Sequence, residues 1–145
     1  MSTLYGVNAT KMLTPTGANI IDQGINKSNV CFMYDTYEAS AVAANDVIIV
    51  CDKLPVGAIV TSIKLVFDDL GAGNTVDVGD GDTADRYMDG IDVATAAGTA
   101  TYPNETCIAG VGYQVTGEDD DDQLQITILG STATGTIKIL VEYAI

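Results

Sequence analysis

The stretch TIKILVEYAI (136–145) carries Ile137, Ile139, Val141, Tyr143 and Ile145 at every second position, with Lys138 and Glu142 between them. Neighbouring side chains of a β-strand point to opposite faces, so a period of two separates apolar from polar residues only when the backbone is extended. A helix would scatter the same residues around its axis. The same period recurs in AIVTSIKLVFDD (58–69), where Ile59, Ile63, Leu65 and Phe67 share one face and Ser62, Lys64 and Asp68 the other. LQITILG (124–130) repeats it with Leu124, Ile126 and Ile128. Each such segment must bury one face against a second layer.

Weaker strand patterns fill the intervals. VCFMYDTYE (30–38) is rich in strand formers, VIIVCD (47–52) is an apolar run, and TVDVGD (75–80) alternates. GIDVATAAG (90–98) reads as a weak strand and linker, and TCIAGVGYQVT (106–116) as a strand softened by two glycines. ASAVAAND (39–46) reads as a small-residue connection of about one helical turn. LPVG, LGAGN and STATG supply turns, and no segment has a convincing amphipathic helical pattern. About eight short strands in this order predict an all-β fold, an antiparallel, jelly-roll-like β-sandwich. An open immunoglobulin-like sandwich is the rival arrangement. The last two strands are expected to form a hairpin with both apolar faces inward.

The chain has 145 residues, the usual size of one domain. Residues 1–29 show no sustained period and predict an extended, irregular N-terminal arm ahead of a β-sandwich domain at 30–145. Leu4, Tyr5, Met12, Leu13, Ile20, Ile21 and Ile25 are its scattered apolar anchors, suited to grooves on a neighbouring subunit. Charge divides at the same boundary. The arm carries Lys11 and Lys27 against Asp22, a net of +1, whereas the rest of the chain is −15. A body so acidic is repelled by phosphate, which argues against nucleic acid as a partner. No apolar run approaches the roughly 20 residues that span a bilayer, so no membrane partner is expected. The first residues lack a basic segment followed by an apolar one, so a secretory route is not expected either.

There is no histidine, which removes the commonest general base and a common metal ligand. No nucleophile–base pair can be assembled around it, so the chain is not expected to be an enzyme or to carry a cofactor. Cys31, Cys51 and Cys107 sit in apolar stretches without metal-ligand spacing. They are expected to be buried free thiols of a protein made in a reducing cytosol.

VDVGDGDTADRYMDG (76–90) is the one stretch that invites a site. Asp77, Asp80, Asp82 and Asp85 offer hard oxygens of the kind calcium takes. The spacing fails the EF-hand rule, however, because from Asp80 the fifth position is Ala84 and the twelfth is Ile91. Glycines that permit tight turns and aspartates that cap them give a structural account instead. Arg86, the only arginine, is expected to clamp the loop through Asp82 and Asp85. The run EDDDD (118–122) reads as a solvated tip.

The order YDTYEAS (34–40), NDVI (45–48), KLPVGAIV (53–60) and TVDVGDGDTADRYMDG (75–90), closed by an alternating strand, resembles the small β-sandwich head decoration or cement proteins of tailed bacteriophages. The resemblance spans residues 20–145. It implies a virion structural protein without an active site, bound to the major capsid protein on the capsid exterior. It also implies self-association, as a homodimer or homotrimer. Two other classes stay open: a fibre or tail module that binds a receptor or glycan, and a calcium-dependent adhesion domain.

Overall fold

The computed structural model describes residues 29–51, 53–117 and 123–145. The predicted arm anchors between Leu4 and Ile25, and the acidic run 118–122, lie outside the described residues. Eight strands form: β1 (Val30–Val42), β2 (Val47–Ile49), β3 (Ile59–Phe67), β4 (Thr75–Gly79), β5 (Met88–Asp92), β6 (Gly98–Tyr102), β7 (Gln125–Leu129) and β8 (Ala133–Ala144). They make two four-stranded antiparallel sheets, ordered β1-β8-β3-β6 and β2-β7-β4-β5. Only β4 and β5 are consecutive neighbours. Every other connection crosses from one sheet to the other, the winding of a jelly roll. No described helix is long and apolar enough to cross a membrane.

The alternating segments supply the apolar layer between the sheets. Ile63, Leu65, Ile137, Ile139 and Val141 enter it from one side, and Val76, Val78, Met88, Ile126 and Ile128 from the other. Each is fully buried or nearly so, a gain of roughly 1.5–3 kcal/mol per large side chain relative to exposure. Tyr143 is only half-buried and Ile145 is exposed, so the inward row of β8 fades at its end.

Several expectations are corrected. The last two strands are not a hairpin: β7 and β8 lie in different sheets and face each other across the core. Two strands that each bury one face look alike whether they are side by side or opposed, so alternation cannot separate the two cases. The segment 39–46 is no helical turn. β1 runs on through Ala39 to Val42, with a bulge where Ala41 has a φ of +55°. Its small residues fit a crowded place, since Ala39 is buried opposite Gly135. The run 47–52 yields only three strand residues, with Val47 and Ile49 exposed on either side of buried Ile48.

Segment 106–116 is not a strand. It holds a 3-10 turn at Ile108–Gly110 and an isolated bridge from Gln114 to Ile59. Ile108 and Val111, which suggested a strand, are exposed. The missing strand is β6, whose inward positions are Gly98, Ala100 and Tyr102. A Cβ on Gly98 would come within 3.0–3.1 Å of the Phe67 ring, so the aromatic fills the space that a larger β6 side chain would need. Of the cysteines, only Cys107 is buried. Cys31 and Cys51 are half-exposed free thiols.

One buried polar residue joins two of the turns. Asn74 is fully buried, and its side-chain amide donates to Leu70 O (2.9 Å) and Thr132 O (3.3 Å). Its Oδ1 accepts from Ser131 N (2.7 Å) and Ser131 Oγ (3.0 Å). The loop entering β4 is thereby fixed to the loop between β7 and β8. Beside it, Gly130 has a φ of +105°, and an added Cβ would overlap Gly73 O. Asn74→Ala strands several buried groups at once and should cost about 2–4 kcal/mol, read as a lower midpoint in urea with an unchanged slope.

Candidate interaction surface

The aspartate loop folds against its own strand end. Asp80, 2% exposed, takes Arg86 Nε on its Oδ2 and Thr83 N on its Oδ1 (2.9 Å). Arg86 also donates to Thr83 Oγ1 (3.1 Å), and its guanidinium lies 3.6 Å above the centre of the Tyr113 ring. The partner of Arg86 is therefore Asp80, not the expected Asp82 or Asp85, which are both exposed. A buried carboxylate requires a partner, whereas an exposed one is satisfied by water. The arginine thus closes on the aspartate nearest the core. A Cβ on Gly79 would overlap the backbone of Thr83 and Ala84, which the turn brings close.

The four proposed calcium ligands are put to separate uses. Asp77 Oδ1 accepts from Gly90 N (2.7 Å), Asp80 is held by Arg86, and Asp82 and Asp85 point outward. Among the described residues, no group of three or more metal-type side chains comes together. Under the loop, Cys107 Sγ donates to Asp85 O (3.3 Å), and Tyr87 meets Tyr102 edge-on at 5.2 Å. Burial pushes the Tyr102 hydroxyl up to about 12, and burial followed by Asp35 pushes the Cys51 thiol up to about 11. Neither is poised as a base or nucleophile at neutral pH.

An exposed apolar strip lies elsewhere, on a strand that the sequence reading treated only as strand-forming. Val30, Phe32 and Tyr34 of β1 are 68%, 74% and 52% exposed, and Leu140 of β8, directly opposite Tyr34, is partly exposed. Lys64 and Lys138 stand on this same outer face, in rows with Leu140 and Thr36. β1 is apolar on both faces near its start, because Cys31 and Met33 turn inward. That pattern usually marks a strand covered on both sides. Here one side is open, and the unused apolar face is the signal that reading missed.

A cavity of about 400 Å³ opens near the far end of this sheet, its lining including Val66, Phe67, Gly98, Thr99, Thr136 and Lys138. Phe67 is its one aromatic residue and is itself buried. It does not offer the stacking platform that a sugar ring takes.

An eight-stranded jelly-roll sandwich with an open aromatic edge is the class that fold and surface define. No family model matches the chain, and no curated protein matches it by sequence. Solved structures do share the fold. A chain of the cyanophage Pam1 capsid asymmetric unit is similar at 26% identity and a TM-score of 0.62, covering 81% of this chain and 86% of that one. A chain in the capsid of Ralstonia phage GP4 is similar at 21% identity and 0.56, covering 82% and 84%. A chain of the acid-stable capsid of Helicobacter pylori bacteriophage KHP30 shares the fold at 15% identity and 0.56, covering 80% and 87%.

Two substitutions test the loop. Arg86→Ala leaves the Asp80 carboxylate buried and unpaired, and should lower unfolding free energy by about 2–4 kcal/mol in denaturant titrations. Burial raises the pKa of Asp77, against the bond from Gly90, and Asp89 and Asp85 raise it further. With the folded-state pKa above the unfolded one, the charged form weakens folding, and acidification through that range restores the stability. Asp77→Asn should therefore be the more stable protein at neutral pH, and its advantage should shrink as melting is followed down into the carboxylate range.

Proposed function

We propose that this chain is a structural protein of a phage virion that binds the outside of the capsid, decorating or cementing neighbouring major capsid protein subunits. The three structural likenesses support a virion structural role. The observation that carries the reading is the fold shared with a chain of the Pam1 capsid over 81% of this chain. Charge favours the exterior, since the inner face of a capsid lies against packaged DNA and repels an acidic body. Residues 1–28 bear both lysines of the near-neutral arm and enter the sandwich at Asn29, beside the open apolar strip. Such an arm can approach an acidic shell where the body itself is repelled. Small contacts repeated at many equivalent sites stabilise a shell by mass action and need no catalysis.

The glycan-binding alternative requires an aromatic-lined groove. Phe32 and Tyr34, the most exposed aromatic residues among those described, instead lie in a row on an open strand, so the capsid reading is preferred.

Binding of the purified chain to capsids that lack it tests the proposal. The full chain should saturate the shells at a copy number on the scale of the major capsid protein. A variant lacking residues 1–28 should melt like the full chain yet fail to bind. Full occupancy by the truncated chain would remove the role of the arm, and no binding by the full chain would overturn the reading itself.

A further inference from the structure

The four edges of the two sheets are not alike. β2 has three residues. β5 has five residues, two of them Asp89 and Asp92, and a φ of +62° at Gly90. β6 is also five residues long and is followed by Pro103. Short, charged or proline-ended edges resist pairing with another chain. β1 has 13 residues and shows none of these guards between Val30 and Tyr34.

The backbone of β1 is as open as its side chains. Asn29 and Ile145 exchange both N–H···O bonds at 3.1 Å, and the antiparallel register runs on from Val30↔Ala144 to Ala39↔Gly135. Exchanged pairs fall at every second residue, so the peptide groups of Cys31, Met33, Asp35 and Tyr37 face β8. Those of Val30, Phe32 and Tyr34 face away from it. Among the described residues no strand pairs with that side. The three residues with the most exposed apolar side chains on the strand thus also present its unpaired N–H and C=O groups.

We propose that this edge joins two copies of the chain, their β1 strands pairing antiparallel about Phe32 into one continuous eight-stranded sheet. Charge selects this register. It sets Phe32 against Phe32 of the second copy and Val30 against Tyr34, with no charged side chain in the paired stretch. Asp35 falls opposite Asn29, which leaves the two Asp35 side chains roughly 20 Å apart along the strands. Glu142, beside Phe32 on β8, is three strand spacings from its counterpart, roughly 14 Å, beyond the screening length of about 8 Å in physiological salt. Two acidic bodies therefore meet here without like charges in contact. Residues 1–28 have no period of two and make a poorer strand partner. The inference does not depend on the capsid reading.

Sedimentation of the full chain over a micromolar concentration series should show a reversible dimer. Phe32→Glu should weaken it by about tenfold or more, while the melting temperature read at concentrations where both proteins are monomeric stays unchanged. In a Cys31→Ser background, Phe32→Cys should cross-link on oxidation, because facing Cα atoms of an exchanged pair lie about 5.5 Å apart, within disulfide range. Tyr34→Cys in that background should not, since its own counterpart is four residues out of register. A chain that stays monomeric overturns the proposal, as does an oligomer indifferent to Phe32→Glu, or cross-linking at Tyr34 and not at Phe32. A dimer lost on deleting residues 1–28 but untouched by Phe32→Glu overturns it too, and assigns association to the arm.

Discussion

The structure depends on a single apolar layer shared by two sheets. Ile137, Ile139 and Val141 fill it from one side, and Val76, Ile126 and Ile128 from the other. Once these rows face each other, the polar member of each alternating pair is forced outward. A chain with 20 acids and 6 basic residues then has an acidic exterior by construction. Because the connections cross between the sheets, the loops gather at the two ends of the sandwich. There they are held by few but well-satisfied polar groups: Asn74 between two turns, and Asp80 with Arg86 over Tyr113.

The sequence was most legible where a strand had one clear face. β3, β7 and β8 declare themselves by large inward residues, and the turns between them by glycine and asparagine. Partnership was less legible. Two alternating strands separated by STATG suit a hairpin as well as opposed layers, and only the winding of the whole chain decides between them. β6 was hidden because two of its three inward positions, Gly98 and Ala100, are small, and the space beside Gly98 is taken by Phe67 from the adjacent strand. The segment 106–116 misled in the opposite sense, since Ile108 and Val111 are apolar yet exposed.

The candidate sites divide in the same way. The sequence marked the aspartate loop and named Arg86 as its clamp, but it could not rank the carboxylates, because burial rather than spacing picks out Asp80. It passed over the strip on β1, whose residues look like core. Their exposure follows from position alone: β1 is the last strand of its sheet, and its outer face has nothing above it among the described residues. The two features therefore reverse their first impressions. The conspicuous acidic loop is internal joinery, and the unremarkable apolar strand is the available surface.

The bonds exchanged by Asn29 and Ile145 have a practical corollary. They bring the point where residues 1–28 enter the sandwich to about 5.5 Å from the last residue of the sequence. Anything joined after Ile145 leaves the body beside Asn29 and at the foot of the Val30–Tyr34 strip. An epitope or cargo carried there needs a spacer long enough to clear both. The β4–β5 loop, which is tied down by its own arginine and lies in the other sheet, offers an attachment point that leaves both free.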